Sequence, residues 1–162
     1  MDNINLRILR ALSINGRISI AELAREVHLS APAVAGRVKR LEQEGIIVGY
    51  KPQINLEKIG IPIRALIECK VHRAMERTFR AHLLTFDEII KIYNITGITT
   101  FIVEVGVKDL SKLESVLDRM IDFCDTNTSI VTRMTYDEDM PKALERILKA
   151  PPAFGIDIKN VD

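Results

Sequence analysis

Residues 17–50, RISIAELAREVHLSAPAVAGRVKRLEQEGIIVGY, contain two short helical patterns joined by a tight turn. The second pattern opens with Ser30 and Pro32 and carries three cations, and a β-rich segment follows it directly. This order is typical of a helix-turn-helix with a small wing. A capped, basic helix on a compact three-helix support suits the major groove of double-stranded DNA.

Caps and apolar spacing predict where the helices begin and end. Helix 1 is expected from Asn3 to about Ile14, with a left-handed stop at Asn15-Gly16. Ser19 and Glu22 predict a capping box at the start of helix 2, which runs from about Ile20 to Val27.

Helix 3 has Ser30 as its expected N-cap and Pro32 in its first turn, where a missing N–H costs little. Val34, Val38 and Leu41 recur at helical spacing and predict its buried side. The DNA-binding residues expected in and around this helix are Arg17, Ser30, Pro32, Ala33, Gly36, Arg37, Lys39, Arg40 and Lys51. Of these we place Ala33, Gly36, Arg37 and Arg40 nearest the bases, and Lys39, Lys51 and Arg17 toward the phosphates.

A plainer interpretation of helix 3 is an ordinary solvated face, whose cations are balanced by Glu42 and Glu44. The capped helix and short turn that precede it favour DNA binding instead. Gly36 poses the same choice, because a glycine inside a helix costs about 1 kcal/mol relative to alanine. It either lets the backbone approach DNA closely or occupies a neutral surface position.

The segments IIVGY and KPQIN predict a short two-stranded wing around Gly49 to Pro52. Residues 1–50 are therefore expected to form a winged helix-turn-helix domain. Residues 51–62, KPQINLEKIGIP, contain two prolines and a glycine and are the expected linker.

The pattern changes period in residues 63–140, where the predicted order is β-α-β-β-α-β. The strands are Arg64–Val71, Glu88–Thr96, Thr100–Val107 and Thr128–Tyr136, and the helices are Met75–Phe86 and Asp109–Phe123. This is a ferredoxin-like arrangement, with four antiparallel strands and both helices on one face, so the chain is expected to be α+β. Apolar residues on the other face predict a partner, most simply a second copy of the chain.

Composition narrows the class of protein further. The chain has 162 residues, 47% of them hydrophobic, enough for one good core or two small ones. No apolar run approaches the roughly 20 residues of a membrane span, and the charged N-terminus is unlike a signal sequence, so we expect a cytoplasmic protein without a membrane partner. Cys69 and Cys124 lack CxxC spacing and are expected to be packed thiols. No metal or cofactor is expected.

Charge is divided unevenly along the chain, whose net charge is +1. Residues 1–51 contain eight Lys and Arg against five Asp and Glu, whereas residues 52–162 contain 15 against 17. The positive excess lies where a phosphate partner would need it.

Four stretches resemble the Lrp/AsnC (feast/famine) family of transcription regulators. They are DNINLRILRAL in helix 1, GRIS before helix 2, LS...V..RVKRLE over residues 29–42 and EGII.GY into the linker. Asn5 stands where the family commonly has Asp. The resemblance covers both halves and implies a sequence-specific DNA-binding regulator. Residues 63–140 would then form its effector and dimerisation domain, with dimers that assemble to octamers and an amino acid bound at a cleft between subunits.

The family often carries Gly-Asp-(Tyr/Phe)-Asp between the second and third strands. Here the corresponding residues are Gly97, Ile98, Thr99 and Thr100, which keep the glycine and lack both acids. These four residues are the expected effector-binding segment, and we expect no response to the common amino acids at millimolar levels. A different effector, recognition through Thr99, Thr100 and backbone groups, and the absence of an effector are the alternatives.

Two other functions are open at this point. A siroheme decarboxylase of the same architecture would have to use His72, Arg73, Arg77 and His82 to hold propionates and assist loss of carbon dioxide. No nucleophile, phosphate loop or pair of acids accompanies the histidines, and an enzyme has no need of a basic recognition helix, so we expect no enzyme. The other alternative is an architectural protein that wraps DNA without an effector. Residues 141–162 are expected to form a helix, 141–149, and a tail.

Overall fold

The computed structural model describes residues 1–134, so the predicted helix 141–149 and the tail lie outside the described residues. The described chain forms two compact units, one of residues 1–53 and one that begins at Ile54. Each unit has its own hydrophobic core.

Three helices form the first unit: α1 (Asn3–Ile14), α2 (Ile20–Val27) and α3 (Ala31–Gln43). These bounds confirm the helices predicted from caps and spacing. Their apolar sides meet in one core made of Ile8, Ala11, Leu23, Ala24, Val27, Val34, Val38 and Leu41. Removal of these side chains from water, at about 25 cal/mol per Å² of apolar surface, favours the packed arrangement.

Side-chain caps define the turn between α2 and α3. The capping box is present, since Ser19 Oγ accepts from the Glu22 N–H at 3.2 Å and Glu22 Oε2 accepts from the Ser19 N–H at 3.0 Å. His28 ends α2 in left-handed backbone with φ 57°, and Ser30 Oγ accepts from the Ala33 N–H at 3.4 Å. Both ends of the turn are thereby fixed.

The predicted left-handed stop at Asn15-Gly16 is wrong. Asn15 is the C-cap of α1 with φ −139°, and its side chain accepts a hydrogen bond from the Arg17 N–H at 3.0 Å. A side-chain turn of this kind ends a helix without positive φ.

The predicted two-stranded wing is also wrong, because residues 46–53 contain no strand. The N–H groups of Ile46 and Ile47 donate to the Leu41 carbonyl at 2.9 and 3.0 Å, and the Tyr50 hydroxyl donates to Glu42 Oε1 at 2.9 Å. The N–H groups of Ile46 and Ile47 therefore satisfy the C-terminal end of α3 and do not form a strand ladder.

The second unit follows the predicted order. After a short 3-10 helix at Glu57–Ile59, its elements are β1 (Ile63–Val71), α4 (Glu76–Leu83), β2 (Ile89–Asn94), β3 (Phe101–Val107), α5 (Leu110–Asp118) and β4 (Cys124–Ile130). The strands form one antiparallel sheet in the order β2-β3-β1-β4. The α+β class and the ferredoxin-like topology are confirmed.

Both helices pack on one face of this sheet. Buried side chains of α4 and α5 share a single core with the strands, made of Ala65, Ile67, Cys69, Phe79, Leu83, Phe86, Phe101, Val103, Val105, Val107, Leu113, Val116, Met120 and Cys124. The two cysteines are free and buried, as predicted.

The last two elements begin or end earlier than predicted. α5 stops at Asp118 rather than Phe123, and β4 occupies Cys124–Ile130 rather than Thr128–Tyr136. The sequence of β4, CDTNTSI, is largely polar and lacks apolar alternation. Most of its side chains are exposed. The position of β4 is determined by its hydrogen-bonded pairing with β1, in which Cys124 lies opposite Val71, rather than by a side-chain pattern.

The opposite face of the sheet carries apolar side chains that do not belong to this core. They include Leu66, Ile90, Tyr93 and Ile102, of which Leu66 and Ile90 are 37% and 38% exposed. Glu104 lies on the same face, is nearly fully buried, and pairs with Arg64.

Candidate DNA-binding surface

The side of α3 opposite its core residues is open to solvent. Every predicted DNA-binding residue is exposed except Arg37, which is half-buried. Val34, Val38 and Leu41 are buried on the other side, as predicted. Arg17 precedes α2 and Lys51 follows α3, so both lie on segments that flank the helix-turn-helix.

Gly36 lies at the centre of this exposed side. A Cβ built on it would meet no heavy atom within 4 Å among the described residues, and its φ is not positive. Neither packing within the unit nor backbone conformation therefore requires a glycine here.

Arg37 is engaged by the start of α1. Its Nη1 donates to Asp2 Oδ2 at 2.5 Å and to Asn5 Oδ1 at 2.8 Å. Sequence reasoning did not include Asp2 and Asn5 in the site. The Asp2 to Asn5 spacing does signal an N-cap, but the contact with Arg37 follows from the packing of α1 against α3.

Arg40 forms an ion pair with Glu44, the C-cap residue of α3. Its Nε donates to Glu44 Oε1 at 2.9 Å, and the Arg40 side chain is 77% exposed. Such a surface pair contributes about 0–1 kcal/mol, so Arg40 can exchange the carboxylate for a DNA acceptor at small cost. Lys39, Lys51 and Arg17 have no ion-pair partner within the described part of the chain.

The predicted effector segment connects β2 to β3. Gly97 has φ 122°, Ile98 is exposed, and Thr99 and Thr100 are half-buried. Thr100 closes the connection, because its carbonyl accepts from the Ile95 N–H at 3.1 Å and its N–H donates to the Cys69 carbonyl at 2.9 Å. The segment 95–100 offers no carboxylate.

The residues required by the decarboxylase interpretation take part in separate contacts. His82 lies 2.9 Å from the Arg119 carbonyl oxygen, and its ring stacks on Phe123. His72 Nε2 lies 3.5 Å from Asp125 Oδ1, while Arg73 and Arg77 are exposed. Within residues 1–134, no group of three or more His, Cys, Asp and Glu side chains is arranged to hold a metal ion.

None of the helices among the described residues is long and apolar enough to cross a membrane.

A helix-turn-helix with an exposed basic helix, followed by a ferredoxin-like domain, defines a DNA-binding transcription regulator with a separate regulatory domain.

The particular family follows from comparison with known proteins. Residues 1–42 match the AsnC-type helix-turn-helix domain, and residues 64–141 match the Lrp/AsnC ligand binding domain. The chain is 33% identical to the HTH-type transcriptional regulator Ptr1 of Methanocaldococcus jannaschii over 75% of this chain and 82% of that protein. The chain belongs to the Lrp/AsnC family of transcriptional regulators.

Solved structures agree with this assignment. The structure of LrpC from Bacillus subtilis aligns with a TM-score of 0.80 at 28% identity, over 84% of this chain and 97% of that one. A transcriptional regulator from Neisseria meningitidis, solved as a complex with L-Met, aligns with a TM-score of 0.82 at 25% identity, over 88% and 97%. These relatives are regulators, and none supports the decarboxylase alternative.

Proposed function

We propose that this regulator binds operator DNA by placing α3 in the major groove. The observation that carries the proposal is the open space above Gly36. A glycine in a helix costs about 1 kcal/mol relative to alanine, and no described neighbour explains it. Close approach of DNA to the α3 backbone accounts for this cost.

In this binding mode Ala33, Gly36, Arg37 and Arg40 contact the bases, where small residues admit the groove wall and the arginines reach base edges. Lys39, Lys51 and Arg17 contact phosphates, which fix orientation rather than sequence. Ser30 caps α3 and Pro32 lies in its first turn, and both are exposed, so in this binding mode the positive end of the helix dipole also faces the DNA.

The regulator acts as a homodimer that assembles further, to an octamer. The apolar face with Leu66, Ile90 and Ile102 supports this, because a second copy would remove it from water. Two-fold symmetry would present two copies of α3 to successive major grooves. Sedimentation of the wild-type chain and of a Leu66→Asp variant tests this, since a charge on the face should shift the species toward monomer.

Residues 63–140 form the regulatory domain, 51–62 the linker and 1–50 the DNA-binding domain, and the protein acts on the chromosome in the cytoplasm. A small molecule modulates it through the ligand-binding domain. Amino acids are one class to consider, because the Neisseria relative was solved with L-Met. The missing carboxylates in residues 97–100 argue against the family's usual amino-acid contacts in this chain.

Electrophoretic mobility shift on the DNA upstream of the protein's own gene tests the proposal. A shift that survives excess random DNA supports sequence-specific regulation. Equal binding to random DNA would contradict sequence-specific regulation. Absence of any shift on either DNA would reject the proposed function.

A further inference from the structure

The side chain of Arg37 is held at one end only. Asp2 and Asn5 accept the hydrogen bonds of its Nη1, at 2.5 and 2.8 Å. A guanidinium carries further N–H donors on Nε and Nη2. Those donors have no hydrogen-bond partner among residues 1–134.

Asp2 is itself fixed in position. Its Oδ1 accepts from the Asn5 N–H at 2.7 Å as the N-cap of α1, while Oδ2 meets Arg37. Partial burial opposes ionisation, but hydrogen bonds from Asn5 and Arg37 hold the pKa of Asp2 below its usual value. Asp2 is therefore charged at neutral pH and offers Arg37 an acceptor of defined direction.

The fixed guanidinium borders the surface assigned to DNA. Asp2, Asn5 and Arg37 line one shallow depression together with Ala33, Gly36 and Arg40. The Arg37 side chain is 33% exposed and contributes to the lining of this depression.

We propose that Asp2 determines the sequence specificity of this regulator by orienting Arg37, together with Asn5, toward a guanine in the major groove. The inference rests on the proposed binding mode of α3. A bidentate contact to guanine O6 and N7 requires a defined guanidinium plane. An arginine free to rotate turns to the nearest phosphate, which carries no sequence information.

The charge of Asp2 has a second effect at this surface. A carboxylate beside the groove repels phosphates and lowers affinity for every DNA sequence. This repulsion is common to operator and random DNA, so it cancels in the ratio of the two affinities. Asp2 therefore widens the difference between operator and random DNA only through its orientation of Arg37.

Asp2→Asn is the sharpest test, because asparagine is as good an N-cap as aspartate and removes the charge. We expect its affinity for random DNA to rise and its operator-to-random ratio to fall about five- to thirtyfold, with loss of the preference for guanine at one position of each half-site. Fluorescence anisotropy is measured on the operator, on the operator with that base pair changed, and on random DNA. These titrations give the random-DNA affinity, the operator-to-random ratio and the guanine preference. Asp2→Ser, another uncharged cap, must reproduce the result.

Glu26→Gln is the matched control, because Glu26 is an exposed acid of α2 and its loss changes net charge equally. It should raise operator and random affinity by the same factor.

Arg37→Ala separates this inference from the proposed function. If Arg37→Ala weakens the guanine preference and Asp2→Asn leaves the ratio unchanged, the role of Asp2 is overturned while the binding mode stands. If the wild-type protein binds neither DNA, both are overturned.

Discussion

The guanidinium of Arg40 lies one helical turn from the carboxylate of Glu44, with 2.9 Å between Nε and Oε1. Because both side chains are largely exposed, the pair adds little to stability and leaves Arg40 available for DNA. Arg40→Ala is expected to weaken operator binding by about 1–3 kcal/mol through loss of a base contact. Anisotropy titration measures this, and the midpoint of thermal unfolding should stay within error of wild type.

Glu44→Gln is the counterpart of that experiment. Removal of the competing carboxylate should strengthen DNA binding modestly, in the direction opposite to Arg40→Ala. Unchanged affinity and unchanged sequence preference in Arg40→Ala would remove Arg40 from the base-contacting residues.

Gly36→Ala is expected to separate stability from function. Because a Cβ at Gly36 meets nothing within 4 Å among the described residues, the alanine should stabilise the first unit by about 1 kcal/mol through helix propensity. The same methyl group should weaken operator binding, since it stands between the backbone and the groove wall. Urea unfolding and anisotropy on one preparation measure both quantities. A variant that is more stable and binds equally well would show that Gly36 is a neutral surface position.

The helices of the first unit could be predicted from sequence because their determinants are local. Ser19, Glu22 and Ser30 act within three residues of the backbone groups that they cap, so spacing alone reveals them. The contact of Asp2 with Arg37 joins residues 35 apart in sequence. It depends on the packing of α1 against α3, and no local pattern indicates it.

The errors of prediction share a cause. The apolar segment at Ile46 and Ile47 suggests a strand, but both N–H groups donate to Leu41 and complete a helix end. Conversely β4 is largely polar and forms a strand because β1 offers it a hydrogen-bonding edge. In both places a non-local or capping hydrogen bond decides the conformation, and side-chain pattern is a poor guide.

Glu88 should make stability depend on pH. Its Oε1 lies 2.6 Å from Lys112 Nζ and its Oε2 lies 3.2 Å from Arg119 Nη1. The hydrogen bond from Lys112, reinforced by the charges of both cations, lowers the pKa of Glu88 against the opposing effect of burial. Because the folded pKa lies below the unfolded value of about 4.3, the stabilisation is complete above that value and is lost as pH falls through the folded pKa.

Glu88→Gln is therefore expected to unfold at lower urea concentration than wild type at pH 7, and to approach wild type at a pH below both pKa values. Asp87→Asn, an exposed neighbour, is the control and should differ little from wild type at either pH. A deficit in Glu88→Gln that persists undiminished in acid would mean that its cause is lost packing rather than the ionised pair.

Gly106 provides space that Ile61 and Ile90 occupy. A Cβ on Gly106 would lie 2.8 Å from Ile61 Cγ2 and 3.0 Å from Ile90 Cδ1. Gly106→Ala is expected to destabilise the second unit by about 1–3 kcal/mol through overpacking. Ile61→Ala should relieve part of this cost, so the double variant should be more stable than the sum of single effects predicts. Additive losses in urea unfolding would show that Ile61 is not the side chain displaced.

The segment 95–100 should govern the response to amino acids. It contains no carboxylate to receive an ammonium group, and Thr100 closes it through hydrogen bonds to Ile95 and Cys69. We expect no thermal shift of the wild-type protein with any common amino acid at millimolar concentration, L-Met included. The double variant Ile98→Asp, Thr100→Asp places acids where the family often has them and keeps the backbone hydrogen bonds, so it should gain a shift with at least one amino acid. A clear shift in the wild-type protein would show that residues 98–100 do not block the site, and the effector would then be sought among amino acids.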